Sequence, residues 1–147
     1  MAGEKTLRRL KAIENLLGAF KNYALANGCT VYTPGQEIRL PSGDAIYPDA
    51  VLHRGSLAAG DDLVGVPHLI VQILHNSTPD GERLLKRGIY EKSGVKEYWI
   101  LDAVNSTIDV LSLRDGRFEP WGAFAPGSTV TSPAFPGLAV PMAALFS

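Results

Sequence analysis

"PHLIVQILHNSTPDGERLLKRGIYEKSGVKEYWILD", residues 67–102, decides the fold. Residues 68–74 are rich in Ile, Val and Leu without alternation, the pattern of a strand covered on both faces. Thr78 suits a helix N-cap, Pro79 the first helical position, and Asp80 and Glu82 the positive end of the helix dipole. A helix over 79–93 follows, with Gly94 as its stop. "VKEYWILD", residues 95–102, is then a second buried strand. The unit 68–102 therefore predicts two parallel strands joined by a right-handed helical crossover. One residue in it is out of place. Gln72 sits in the apolar run, where an unpaired buried amide costs about 1–3 kcal/mol.

Working outward, "EKTLRRLKAIENLLGAFKNYALANG", residues 4–28, reads as the first helix, with Leu7, Leu10, Ile13, Leu17, Phe20 and Ala24 as its apolar stripe and Asn27-Gly28 as its stop. "CTVYTP" is a short strand, and "EIRLPSGDAIYPDAVLHRG" gives two more, hinged at Pro41–Asp44. A loop at 55–67 leads into the opening stretch. "STIDVLSLRDGRFEP" is a hairpin turning near Asp115-Gly116. The tail, with one short strand and a Pro-punctuated end, packs on the body. The expected architecture is one α/β domain over 1–147, a mixed central sheet flanked by two main helices, with a C-terminal hairpin.

The 147 residues are 46% hydrophobic and 20% charged, the balance of a packed core rather than a disordered chain. Net charge is −1, so nucleic-acid binding has to come from a local basic patch. Cys29 is the only cysteine, which excludes a disulfide framework and a cysteine-based zinc site. The N-terminus lacks a signal-peptide block, and no apolar run approaches the ~20 residues of a membrane span. A cytoplasmic protein is the expectation.

Few residues are candidates for chemistry. Alternation in "AIYPDAVLH" puts Tyr47, Asp49, Val51 and His53 on one face and Ile46, Ala50 and Leu52 on the other. A mid-strand carboxylate is disfavoured, and Pro48 removes a ladder donor, so Asp49 is either an exposed edge acid or a site residue. Gln72 shares a face with Ile70 and Leu74. It is either a backbone-bonded amide or the oxygen partner of Asp49 in a cation pocket of the kind Mg²⁺ takes. Glu82, Lys86 and Tyr90 are four apart on one helix face, a spacing that an ordinary solvated Glu–Lys pair also explains. His53, His68 and His75 lack the i, i+4 helical spacing of a metalloprotease. Ser77 and Thr78 are capping residues, since no nucleophile elbow is present.

Taken together, Pro48-Asp49, Ser77-Thr78, Lys86, Tyr90, Gly94-Val95, Glu97-Tyr98-Trp99 and Asp102 resemble the Uma-type restriction endonuclease family of the PD-(D/E)xK nuclease superfamily. The tail "FPGLAVPMAALF" is similar to the family's C-terminal segment, while the family's additional segment before the first helix is missing. The resemblance implies a restriction-endonuclease-like core and a Mg²⁺- or Mn²⁺-dependent endonuclease. Asp49 and the residue at position 72 would hold the metal, Lys86 would stand at the phosphate or the attacking water, and Tyr90 would orient them. In the superfamily's plain pattern the lysine falls where this chain has Leu74, and the family moves it to the helix. Where the family has Glu, this chain has Gln72, which lowers the expected metal affinity. Asp44, Asp80 and Glu82 are the acids that could restore the charge.

Three functions compete. One is a metal-dependent endonuclease acting on nucleic acid, DNA first. Another is a degenerate nuclease-fold module that binds nucleic acid or protein. The third is a structural protein pairing with a second copy, as a homodimer, through its sheet edge and apolar tail.

Overall fold

The computed structural model describes residues 2–60, 62–75 and 79–146. A 26-residue helix, α1 (Ala2–Asn27), is followed by strand β1 (Cys29–Tyr32), the short strands β2 (Ile38–Arg39) and β3 (Ala45–Ile46), and β4 (Ala50–Arg54). Two more short strands, β5 (Ala58–Ala59) and β6 (Leu63–Val64), precede β7 (Leu69–Ile73), helix α2 (Asp80–Ser93) and β8 (Glu97–Asp102). The hairpin β9 (Thr107–Arg114) and β10 (Arg117–Phe124) comes next. The chain ends with β11 (Thr129–Thr131), β12 (Ala139–Pro141) and a single helical turn, α3 (Met142–Leu145).

The main sheet has six strands in the order β1-β4-β7-β8-β9-β10. β7 and β8 pair in parallel, with α2 as their connection, and the other neighbours are antiparallel. This is the mixed sheet expected from the 67–102 stretch. Its run of Ile, Val and Leu is explained by two cores, one on each face. Ala50, Leu52, Leu69, Val71, Trp99 and Leu101 face α1 and the C-terminal tail. Val51, Ile70 and Tyr98 face the other way, onto Tyr90 of α2 and the small sheet β3-β2-β6-β5. α2 stops where Gly94 takes the left-handed conformation (φ 87°), which a Cβ would strain. The β9–β10 turn uses Asp115 and Gly116, both at positive φ, as a two-residue hairpin of this hand requires.

Several expectations are corrected. The buried stripe of α1 is Ala12, Ile13, Leu16, Phe20 and Ala24, whereas Leu7 and Leu10 are exposed on the flank of the helix beside that stripe. Residues 38–54 hold three strands. β2 and β3 join the small sheet and only β4 joins the main one, so the alternation breaks at Pro48 and Ile46 packs in the same core as Val51. The 55–67 loop carries β5 and β6. The tail forms an antiparallel pair, β11–β12, and α3, with Met142 and Leu145 buried in the core against α1. Phe135, Leu138 and Val140 of the tail are buried in the same core. Pro79 takes the N-cap position of α2 rather than its first helical one. The capping roles read for Ser77 and Thr78 lie outside the described residues.

Buried polar groups tie the tail down. Glu97 is fully buried and accepts hydrogen bonds from Trp99 Nε1 (2.7 Å) and the Ala134 backbone N–H (2.9 Å). Burial pushes its carboxyl up, and these donors, with Ser132, oppose the shift. The Glu-Tyr-Trp run is therefore a fastener between β8 and the C-terminal segment. Asp102 forms the turn after β8, accepting from the N–H groups of Val104 and Asn105.

His53 and His68 stack at 4.0 Å, and each uses Nδ1 as an acceptor, from the His68 N–H and the Arg54 N–H respectively. Burial, then the charge of its neighbour, lowers the His53 pKa from 6.5 to about 4. The unfolded chain thus binds more protons than the folded one between those values, so stability falls as pH drops through that window and levels off below it. His53→Gln keeps an acceptor but does not titrate. Urea unfolding should show the wild type losing stability relative to this variant from pH 6.5 to 4; parallel curves would contradict the assignment.

Candidate functional site

The antiparallel register Ala50↔Val71, continued by one residue, sets Asp49 across from Gln72 just before β4 begins, and the Asp49 N–H bonds to Val71 O (3.0 Å). Both side chains point to the α2 face. Asp49 Oδ2 accepts the Ile73 backbone N–H at 2.7 Å and Gln72 Nε2 at 3.4 Å. Tyr90, reaching down from α2, donates its hydroxyl to Gln72 Oε1 at 2.7 Å. Among the described residues Asp49 Oδ1 receives no hydrogen bond. Tyr90 is 1% exposed, and its phenol is pushed up by burial, then by Tyr98 and Asp49. It therefore stays protonated and acts as a donor. In this arrangement the amide oxygen faces Tyr90 and its N–H faces the carboxylate.

This arrangement answers why an amide is tolerated in the apolar run. Gln72 is satisfied by two side chains, not by main chain, and the Asp49 charge meets an N–H dipole. Two carboxylates here would repel each other unless a cation or a proton lay between them.

The three side chains line or underlie a cavity of about 400 Å³. Asp49, Gln72 and Ile73 form part of its lining, Tyr47 flanks Asp49, and Arg83, Lys86 and Arg87 of α2 line it as well. The structure thus brings together Asp49, Gln72 and Lys86 around one space, with Tyr90 behind Gln72. Leu74 and the exposed His75 also border it. The Glu82–Lys86 pair anticipated as ordinary helix decoration exists at 3.9 Å, with both side chains about half exposed. Such a pair contributes only about 0.3–0.5 kcal/mol and leaves the ammonium available.

The acids expected to compensate for Gln72 do not reach the cavity. Asp44 is held by Ser42 Oγ (2.7 Å) in the Pro41–Asp44 turn, beside a different recess. Asp80 is 94% exposed and faces Arg83 at 3.8 Å, and Glu82 faces Lys86. The acid that sequence reading missed is Asp109, which lines the same cavity. The registers Gln72↔Ile100 and Ile100↔Asp109 place it two strands from Gln72, about 10 Å across the sheet. From Asp49 it is three strands away, about 14 Å, too far for two short side chains to share one ion. The signal for Asp109 was present as a charge in the face shared with Leu111 of β9. Arg83, one turn before Lys86, lines it as well.

Does this set fit a divalent cation? Asp49 offers one carboxylate oxygen with no internal bond, and Gln72 offers a carbonyl of the hard kind Mg²⁺ accepts. A tyrosine hydroxyl both donates and accepts, so Tyr90 can serve the amide in either orientation. Among the described residues no group of three or more His, Cys, Asp or Glu side chains could hold a metal. The set therefore fits an ion completed by waters and by a substrate phosphate, the usual manner of Mg²⁺, and not a metal held by protein alone.

Gln72→Glu removes the N–H facing Asp49 and sets two carboxylates side by side. Thermal unfolding without divalent cations should show a loss of about 1–3 kcal/mol, recovered by millimolar Mn²⁺. A Tm that Mn²⁺ does not raise in this variant would mean that positions 49 and 72 form no cation pocket.

A family model described as "Uma2: Putative restriction endonuclease" matches residues 1–143. Among solved structures the chain is similar to one titled as a putative nuclease belonging to DUF820 from Anabaena variabilis ATCC 29413. The TM-score is 0.76 at 13% identity, over 95% of this chain and 80% of that one. At that identity the likeness establishes the shared fold, the nuclease-like α/β core expected from the sequence. No curated protein matches the chain.

Proposed function

This chain belongs to the Uma2 family, whose description is "Putative restriction endonuclease", and on that premise we propose that it is a divalent-metal-dependent endonuclease hydrolysing phosphodiester bonds of DNA, with metal affinity weakened by Gln72. One observation carries the reading. Asp49 and Gln72, 23 residues apart, touch at the border of a cavity that the Lys86 side chain also lines.

Asp49 and Gln72 would hold Mg²⁺ or Mn²⁺, which supplies Lewis-acid polarisation of the phosphoryl oxygen and a more acidic bound water. The residues of the chain prepare for this. The Ile73 N–H fixes the Asp49 carboxylate from the backbone, so one oxygen is held and the other is left for a ligand. Tyr90 holds Gln72 in place from α2. Lys86 stands where negative charge develops on the phosphate oxygens and neutralises it; Arg83 and Arg87 extend the positive surface. Among the described residues no helix is long and apolar enough to cross a membrane.

A second reading rests on the amide N–H that faces Asp49: a nuclease-fold module that binds nucleic acid and does not cut it. Nicking of supercoiled plasmid with Mg²⁺ or Mn²⁺ separates the two. The endonuclease reading predicts nicking that chelation stops, that Asp49→Ala abolishes, and that Lys86→Ala slows by about 10²–10³-fold, the usual cost of one charge-stabilising donor. Nicking that survives Asp49→Ala would remove this site from the chemistry. No nicking by the wild type alongside nicking by Gln72→Glu would favour the binding module.

A further inference from the structure

The cavity has an apolar side that phosphate chemistry does not explain. Tyr47 is 62% exposed and lines it two residues from Asp49, and Leu84 of α2, also exposed, lines it too. Scattered exposed apolar side chains are ordinary on protein surfaces. These two are not scattered: they share one concavity with a cationic row and the Asp49–Gln72 pair. Its volume, about 400 Å³, lies in the range of small-molecule sites.

The cations are free to be recruited. Arg83 and Lys86 have carboxylate neighbours only at 3.8 and 3.9 Å, in exposed pairs that hold weakly. Arg83 Nε is shut off from solvent and has no hydrogen-bond partner among the described residues. Arg87 is more committed, donating to Phe118 O at 3.1 Å and facing Glu91. A ligand matching this wall is anionic on one side and flat and apolar on another, which is the chemistry of a nucleotide. A paired duplex keeps its base faces stacked inside and cannot offer one to Tyr47. An unpaired base can, and stacking on an aromatic ring is worth about 1–3 kcal/mol per base whatever the sequence.

We propose that the site takes single-stranded nucleic acid, or a strand with an unpaired base, with phosphates on Arg83 and Lys86 and one base stacked on Tyr47. This rests on the nuclease reading and adds the substrate form to it. Tyr47 is a specificity residue in this account and has no part in bond cleavage.

The test is fluorescence anisotropy with a labelled oligothymidylate and with the same strand paired to oligodeoxyadenylate, in EDTA at low salt so that neither is cut. The wild type should bind the single strand more tightly. Tyr47→Ala should weaken single-strand binding about 5- to 150-fold and leave duplex binding within twofold; Tyr47→Trp should retain the preference. Substitution at an exposed position leaves the fold intact, which the unfolding transition verifies. Equal affinity for the two forms, or single-strand binding indifferent to Tyr47→Ala, overturns the stacking proposal alone. No binding of either form, or binding unchanged in Arg83→Ala/Lys86→Ala, overturns the nucleic-acid reading beneath it.

Discussion

The site depends on how one carboxylate is held. Asp49 comes just before the first residue of β4, where an acid has no reason to be in a two-sided core. It is kept there by the backbone N–H of Ile73 and by the amide of Gln72, which Tyr90 in turn orients from α2. Three elements, a strand end, the central strand and the crossover helix, thus meet at one charge. The parallel pairing of β7 with β8 is what makes this meeting possible, because it places α2 over the face from which Asp49 and Gln72 project.

Gln72, in place of the Glu that the resemblance leads one to expect, sets the physics of the pocket. A glutamate beside Asp49 needs a cation or a proton to be tolerated. An amide needs neither, since its N–H meets the carboxylate and its oxygen meets Tyr90. The pocket is therefore stable without metal, and an ion must compete with an internal hydrogen bond. Asp109 adds a negative charge to the far side of the cavity without reaching Asp49, about 14 Å of sheet away.

Much of this was legible in residues 67–102. Lack of alternation announced strands covered on both sides, and Pro79 and Gly94 bounded the helix. The meeting of Asp49 with Gln72 followed from the family likeness more than from spacing, because pairing between residues 23 apart is not written in periodicity. The misses have common causes. The stripe of α1 was read one phase too wide, since periodicity does not say which flank of a helix the core leaves uncovered, as it does at Leu7 and Leu10. The strands β5 and β6 are two residues each, too short for any alternation to register. Tyr47 and Asp109 are ordinary residues in sequence and acquire meaning only from the cavity they border.

The most direct measurement of the central claim is anomalous diffraction from crystals soaked in Mn²⁺. The account predicts a peak beside the free oxygen of Asp49, lost in Asp49→Ala crystals, with the Gln72 carbonyl turned toward it. Density showing the Gln72 N–H still on Asp49 and no Mn²⁺ in the cavity at millimolar concentration would contradict it.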